Sequence, residues 1–270
     1  MPKLSVVIIT LNEEKNIERC IRSVEGLSDD IIVVDSGSTD LTPVICKALG
    51  VRFYTSDWLG YGETKNYANS FALNPLILSL DADEALSEEL RQSIAAVLRD
   101  QKAPAYSMNR LTNYCGYWVK HCGWYPDKKV RLFNSDAAYW SGELIHESIK
   151  FHNGAKVMHL KGDILHYSYY TVSDHIRQAD KFTDLTAMKA FNEGKKATLF
   201  SIIFNPVVKF LKDYIIKGGF LDGYYGYVIC RISAFATFLK YSKLKQLRIE
   251  SQRQGKRLSE PGETKSSNSF

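Results

Sequence analysis

The sequence predicts an α/β fold, in which a mostly parallel, Rossmann-like sheet has helices on both faces and a basic helical extension follows it. Three observations support this. Short apolar runs alternate with amphipathic stretches of helical spacing over residues 4–100. The chain has 270 residues, 45% hydrophobic and 24% charged, which is typical of a globular protein and excludes a wholly disordered chain or a collagen-like fibre. The positive charge is concentrated after residue 194.

The first four strands are predicted where the chain has short, continuous apolar runs, since a strand buried on both faces has this pattern. They span residues 4–10, 30–35, 51–55 and 76–80. Helices are predicted between them, over residues 13–24, from the turn at 36–40 to Gly50 and over 62–73, and a fourth helix begins after Ser87. In such a sheet, ligands bind beyond the carboxyl ends of the strands. Polar clusters follow the first, second and fourth strands, so we expect the site there.

The rhythm changes from about residue 104. Further strands are predicted over residues 105–114, 129–133 and 163–170, with aromatic-rich loops between them, and helical spacing returns from residue 173. We therefore predict a catalytic domain over residues 1–172, a helical region over 173–249 and a flexible polar tail over 250–270.

Two carboxylates, Asp81 and Asp83, follow the fourth strand directly. Paired carboxylates at the end of a buried strand are unfavourable unless a cation lies beside them. Mg²⁺ or Mn²⁺ bridging a diphosphate would supply that charge, because both ions prefer oxygen ligands. The alternative is a solvated acidic turn that the dipole of the next helix favours.

Two further clusters lie at the expected edge. Asp35 ends the second strand, and its carboxylate could accept hydrogen bonds from a nucleoside base or a ribose hydroxyl; alternatively it caps a turn. Thr10, Asn12 and Glu13 lie where the first strand gives way to a helix. Main-chain groups there could hold the edge of a base, and the alternative is that Asn12 only caps the helix.

Together, the runs SVVIITLNEE, DIIVVDSGSTDLT, GETKNYA and LILSLDADE resemble glycosyltransferase family 2, whose fold is of the GT-A type. The resemblance covers roughly residues 4–150, in the order and spacing of the family. Within the family, the chain looks most like the bacterial enzymes that add glucose to the lipopolysaccharide core. The resemblance implies an inverting transfer of a sugar, glucose foremost, from a UDP-sugar to a lipid-linked glycan such as the lipopolysaccharide inner core.

The resemblance also implies roles for individual residues. Thr10, Asn12 and Glu13 match the first segment that contacts the nucleotide, and Asp35 matches the acid that holds the uridine. Lys65 stands where the family more often has arginine, and it would contact the diphosphate as a point charge.

In the DxD motif, Asp81 would face the ribose or the diphosphate, and Asp83 would bind the metal directly, with Asp81 as a further metal-site residue.

An inverting transferase also needs a base that takes the proton of the acceptor hydroxyl. The resemblance places it in residues 140–147, where His146 and Glu147 match a histidine–glutamate motif. We predict Glu147 as the base, with Glu143 as its rival; the alternative is an acidic edge strand. Arg131, on the strand that leads there, could pair with the diphosphate, orient Glu147 or form a surface ion pair.

The C-terminal region is strongly basic and rich in aromatic residues. Residues 195–270 contain 14 lysines and arginines and 5 acidic residues, a net charge of +9. This composition favours helices that lie on an anionic membrane surface. The resemblance implies that this surface is the cytoplasmic face of the bacterial inner membrane. The alternative is a helical pair packed on the catalytic domain or on a second subunit, which leaves an oligomer open. Nucleic acid is not expected, because no nucleic-acid-binding motif accompanies the charge.

Other functions fit the sequence less well. A nucleotidyltransferase needs a glycine-rich basic loop after the first strand, and a dinucleotide oxidoreductase needs GxGxxG; the chain has LNEE there. Two alternatives stay open: a transferase of the same fold that uses a polyprenyl-phosphate or another envelope polysaccharide acceptor, and a non-catalytic membrane-bound scaffold.

Overall fold

The structure is a computed structural model that describes residues 3–141, 148–152, 154 and 156–259. It consists of two compact units, Met1–Tyr170 and Thr171–Phe270.

In its described residues, the first unit contains strands and four helices. Its strands are β1 (Leu4–Thr10), β2 (Asp30–Asp35), β3 (Arg52–Thr55), β4 (Leu76–Asp81), β5 (Glu84–Leu86), β6 (Ala105–Tyr114), β7 (Tyr117–Val119), β8 (Asp127–Asn134), β9 (Ala138–Trp140), β10 (Ile149–Phe151) and β11 (Val157–Tyr169). Its helices are α1 (Ile17–Val24), α2 (Thr42–Ala48), α3 (Tyr61–Asn69) and α4 (Glu88–Arg99).

The main sheet has the strand order β3-β2-β1-β4-β8-β6-β11-β5, with β7 paired to β6. The first four of these strands are parallel, which confirms the predicted α/β architecture of the GT-A type. β8 then runs antiparallel between β4 and β6. In the register of the sheet, Thr10 lies opposite Asp35 and Ile9 lies opposite Asp81, so three carboxyl ends meet at one edge.

The core lies on both faces of the sheet, as the continuous apolar strands predict. Alternate residues of β1 enter different clusters: Val6 and Ile8 belong to one, and Val7 and Ile9 belong to the other. All four are at most 7% exposed. Burial of apolar side chains on two faces fixes the register of β1, because a shift by one residue would exchange the two sets.

Helix α1 begins later than the sequence predicts, at Ile17 instead of residue 13. The intervening residues form turns, in which the amide groups of Asn16 and Ile17 both donate to the carbonyl of Glu13 at 2.9 Å. Asn12 has a φ of 55°, so the chain leaves β1 through a left-handed residue. This turn carries Glu13 into the loops at the carboxyl edge of the sheet.

The second unit is helical. It comprises α5 (Val172–Asn192), α6 (Leu199–Leu211), a π-helical turn (Lys212–Ile216), a short 3₁₀ helix (Gly219–Asp222) and α7 (Gly223–Ser259). Capping boxes begin α5 at Thr171 and α6 at Thr198. Among the described residues, no helix has the length and apolar character that crossing a bilayer requires.

Helices α5 and α7 pack against each other through Ala187, Ala190 and Leu244. Beside this contact, the Lys243 ammonium binds the carboxylates of Asp180 and Asp184, each at 2.7 Å. These contacts hold α5 and α7 together as the framework of the second unit.

Candidate active site

Asp81 ends β4 and is neutralised by two buried cations. Its carboxylate accepts from Lys65 Nζ at 2.9 Å and from Arg131 Nη2 at 2.7 Å. The two basic residues are 0% and 3% exposed. Burial acts to raise the pKa of Asp81, but the charges of Lys65 and Arg131 outweigh it and hold that pKa well below its usual range. Asp81 is therefore an anion at any physiological pH.

Glu84 joins this network, although no sequence pattern distinguishes it as a site residue. It is 1% exposed, accepts from the Asp81 amide at 3.0 Å and shares Arg131 Nη2 at 3.0 Å. Arg110 Nη1 lies 3.6 Å from Glu84, and Arg110 also binds Asp127 at 2.8 Å. Charges of both signs alternate through the cluster, which compensates much of their desolvation.

Trp140 covers the cations of the network. The Lys65 ammonium lies 4.3 Å and the Arg131 guanidinium 5.3 Å from the Trp140 ring centre. The position of Trp140 is fixed by Asn66, whose amide group exchanges two hydrogen bonds of 2.9 Å with the Trp140 backbone.

Asp83 faces a different side chain. Its carboxylate lies 3.1 Å from His166 Nε2 on β11, and the Asp83 carbonyl accepts from the Tyr167 amide at 2.9 Å. Burial acts to lower the pKa of His166, but the charge of Asp83 and the hydrogen bond to it raise that pKa above its ordinary value. In the described part of the chain, Asp83 has no lysine or arginine as an ion-pair partner.

Asp83 and His166 have the donor set that suits a divalent cation. A carboxylate oxygen and an imidazole nitrogen are ligands for Mn²⁺ and related ions. The described residues contain no cluster of three or more such side chains, so other ligands, such as diphosphate oxygens or water, would have to complete a shell. Asp81 differs, because two cations already bind its carboxylate.

Glu13 lies beside Asp83, at the place where the sequence predicts a site residue. Burial first, and then the negative charge of Asp83, raise the pKa of Glu13 to about 7. Asn16 Nδ2 donates to its carboxylate at 2.7 Å. A carboxyl group with a raised pKa therefore lies near Asp83, in contrast to the ion-paired network around Asp81.

Asp35 and Asn12 organise the loop after β2. Asp35 is 2% exposed and accepts from the Ser38 backbone amide at 2.9 Å. The amide of Asn12 donates to Ser38 Oγ at 2.7 Å, and Asn12 Oδ1 accepts from the Thr39 amide at 2.8 Å. The predicted residues of the first and second strands therefore belong to one hydrogen-bonded loop cluster.

Three buried hydroxyl groups lie at the ends of neighbouring strands. Thr10, Ser36 and Ser56 follow or end β1, β2 and β3, and no hydrogen-bond partner is found for their hydroxyl oxygens in the described residues. Unsatisfied buried hydroxyls are unfavourable, so this edge is suited to a polar ligand.

The predicted bases, Glu143 and Glu147, lie outside the described residues, as does His146. The residues on either side are described: the Ser141 amide donates to the Ser148 carbonyl at 2.9 Å, and β9 pairs with β10. Both flanks therefore form a hairpin that begins beside Trp140, next to Lys65 and Arg131.

The fold and the charged edge define an α/β protein with paired carboxylates beyond the carboxyl ends of parallel strands, where ligands bind in such sheets. The family model described as glycosyl transferase family 2 matches residues 5–144. The chain belongs to glycosyltransferase family 2.

Relatives align along most of the chain. An uncharacterised glycosyltransferase of Rickettsia typhi, RT0209, is 34% identical over 261 residues, which cover 93% of this chain and 89% of the relative. The lipopolysaccharide core biosynthesis glycosyltransferase LpsC of Rhizobium meliloti is 28% identical, with 91% of this chain and 94% of LpsC covered.

Solved structures are also similar. Staphylococcus aureus TarS 1–349 in complex with UDP is 15% identical, with a TM-score of 0.43 and coverage of 94% of this chain and 92% of that one. Mycobacterium tuberculosis glucosyl-3-phosphoglycerate synthase in complex with Mn²⁺ and UDP-glucose is 26% identical, with a TM-score of 0.35 and coverage of 42% and 44%.

Proposed function

We propose that this glycosyltransferase is metal-dependent and inverting, and that it transfers glucose from UDP-glucose to a lipid-linked glycan such as the lipopolysaccharide inner core. The proposal is carried by the different partners of Asp81 and Asp83, two carboxylates at the same edge of the sheet. Asp81 belongs to a network with two buried cations, whereas Asp83 lies 3.1 Å from His166 and binds no lysine or arginine in the described residues. A site that binds a nucleotide diphosphate through a cation needs such an incompletely neutralised carboxylate.

Each residue would have a separate part in this reaction. A divalent cation held by Asp83 and His166 would supply positive charge to the departing diphosphate. Lys65 and Arg131 would fix Asp81 toward the ribose or the diphosphate, and Asp35 would accept hydrogen bonds from the uridine.

Thr10, Asn12 and Glu13 would line the same nucleotide edge. Glu147, with Glu143 as its rival, would take the proton of the acceptor hydroxyl.

The acceptor is proposed from the similarity to LpsC, which covers nearly all of both chains. Such an acceptor would be met at the cytoplasmic face of the inner membrane. A transferase that uses a polyprenyl-phosphate or another envelope polysaccharide is the second candidate, since the described site has no feature that separates these acceptors.

A donor screen tests the chemistry. UDP release is measured from a panel of nucleotide sugars, with Mn²⁺, with Mg²⁺ and with a chelator, and transfer is then measured with lipid extracts as acceptors. We expect the highest rate with UDP-glucose and metal. Absence of turnover with every donor, together with no thermal shift by UDP and metal, would leave the scaffold as the better description.

Variants assign the roles. Glu147→Gln should abolish transfer while the thermal shift by UDP and Mn²⁺ is kept, and near-normal turnover would remove Glu147 from the role of base. His166→Gln should raise the Mn²⁺ concentration needed for half-maximal activity by about tenfold or more. Asp136→Asn is the control, because Asp136 is an exposed carboxylate beyond the end of β8, at the opposite edge from Asp81.

A further inference from the structure

Helix α6 carries its large apolar side chains on its exposed side. None of its residues is buried, and seven large apolar ones are 45–66% exposed. They recur at the spacing of a single helical face. They are Leu199, Phe200, Ile203, Phe204, Val207, Val208 and Leu211.

The polar residues of α6 lie on its other, more sheltered side. Ser201, Asn205 and Lys209 recur at intervals of four residues, and each is partly buried. One turn further, Asp213 is 2% exposed and binds Lys209 Nζ at 2.7 Å. The helix is therefore reversed relative to a surface helix in water, which exposes its polar side and buries its apolar side.

The exposed apolar side continues beyond α6. The π-helical turn adds Ile215 and Ile216, which are 57% and 80% exposed, and the next residues add four more that are 47–69% exposed: Phe220, Leu221, Tyr224 and Tyr227. We call these residues, together with the seven of α6, the apolar face. So many exposed large apolar side chains within 29 consecutive residues are uncommon in proteins that contact only water.

Within residues 195–249, the charges at the surface have one sign. Residues 195–249 contain ten lysines and arginines and two acidic residues, Asp213 and Asp222. Both aspartates are buried, at 2% and 3% exposure. An exposed apolar face bordered by cations complements a surface of acyl chains bordered by anionic headgroups.

The dimensions favour a helix in the plane of the membrane. Thirteen residues of α helix extend for about 20 Å, which is less than the hydrocarbon thickness of about 30 Å. The described helices include none suited to span a bilayer.

We infer that the apolar face inserts into the headgroup and acyl boundary of an anionic lipid leaflet and anchors the enzyme as a monotopic membrane protein. The inference deepens the proposed function, on which it rests only for the lipid-linked acceptor. The geometry and the charge of the second unit carry it without any assumption about the donor site.

The test compares two double variants of the full chain. Phe200→Glu with Phe204→Glu replaces two stacked rings of the apolar face, whose centres lie 4.3 Å apart, with carboxylates. Val44→Glu with Leu73→Glu is the control, because these residues are 62% and 72% exposed in the first unit. Partition is measured by flotation on phosphatidylcholine vesicles with and without phosphatidylglycerol, and mass is measured by analytical ultracentrifugation without lipid.

We expect the wild type to partition onto anionic vesicles, more strongly at low salt, and the face variant to lose about tenfold or more of that partition. The control should stay within about twofold, and both variants should keep the wild-type rate of UDP-sugar hydrolysis. Equal partition of both variants, or no partition of the wild type, would overturn the anchor. A wild-type dimer that the face variant dissociates, without vesicle binding, would identify a second copy as the occupant. Absence of UDP-sugar hydrolysis by the wild type would count against the proposed donor chemistry and not against the membrane anchor.

Discussion

Asparagine substitutions at Asp81 and Asp83 should have different effects, because only Asp81 is bound to buried cations. The Asp81 carboxylate lies 2.9 Å from Lys65 Nζ and 2.7 Å from Arg131 Nη2, and these basic side chains are 1% and 4% exposed. Asp81→Asn leaves both cations with one anion fewer in a buried place. The two aspartate side chains are similarly exposed, at 25% for Asp81 and 24% for Asp83, but Asp83 contacts His166 instead of two buried cations.

The magnitudes follow from this geometry. Loss of one member of a buried ion pair costs about 3–5 kcal/mol of the free energy of unfolding. Because Glu84 still binds Arg131 at 3.0 Å, we expect the lower value, about 3 kcal/mol for Asp81→Asn. For a domain of this size, that corresponds to a fall in Tm of about 6–12 °C. Asp83→Asn should cost about 1 kcal/mol or less and lower the Tm by no more than about 4 °C.

The assay is thermal unfolding followed by circular dichroism, with and without UDP and MnCl₂. Asp83→Asn should unfold near the wild-type temperature and lose the upward shift that UDP and metal give to the wild type. Asp81→Asn should unfold well below the wild type in every condition. Equal losses of Tm in the two variants, or a wild-type Tm for Asp81→Asn, would refute the assignment of separate roles.

Three further predictions concern stability. Burial lowers the pKa of His175 to about 4, so below about pH 6.5 the unfolded chain takes up a proton that the folded chain does not. Because the raised pKa of Glu13 acts in the opposite direction, the effect is measured against His175→Leu: between neutral pH and about pH 5, the free energy of unfolding of the wild type in urea should fall by roughly 2 kcal/mol relative to that of this variant. Asp30→Asn weakens the contact with Arg52 Nη1 at 2.6 Å and should lower the free energy of unfolding, measured in guanidinium, by about 1–3 kcal/mol. A Cβ on Gly162 would lie 2.3 Å from a backbone nitrogen of α4, whereas Gly116 has the same φ of 88° and open space around it. Gly162→Ala should therefore lower the free energy of unfolding by about 2 kcal/mol more than Gly116→Ala does.

The sequence predicts the strands of the parallel half accurately, because each is a continuous apolar run with polar residues at its ends. β1 and β2 have the predicted bounds. The start of α1 is wrong by four residues, since contacts distant in sequence decide it: the Glu13 amide donates to Thr42 Oγ1 at 2.9 Å. The spacing of apolar residues cannot predict a hydrogen bond to a residue 29 positions away.

The same distinction applies to the site. Asp35, Asp81 and Asp83 could be selected because each lies at the end of a strand that the apolar pattern defines. His166 could not, because it lies 83 residues from Asp83 and is brought there by β11, whose pairing with β5 and β6 no local pattern predicts. Glu84 cannot be selected for another reason, since it continues an acidic run and only its complete burial distinguishes it from the partly exposed Asp81 and Asp83.

The arrangement of charge explains how two aspartates separated by one residue can differ. Around Asp81, the cations of Lys65 and Arg131 compensate the carboxylates. Asp83 binds no lysine or arginine in the described residues, and burial and the charge of Asp83 raise the pKa of the nearby Glu13 to about 7. In the proposed reaction, a divalent cation at this edge would therefore be attracted toward Asp83, and its charge would favour the ionised form of Glu13. The buried network would assist such binding indirectly, because it keeps Lys65 and Arg131 bound to Asp81.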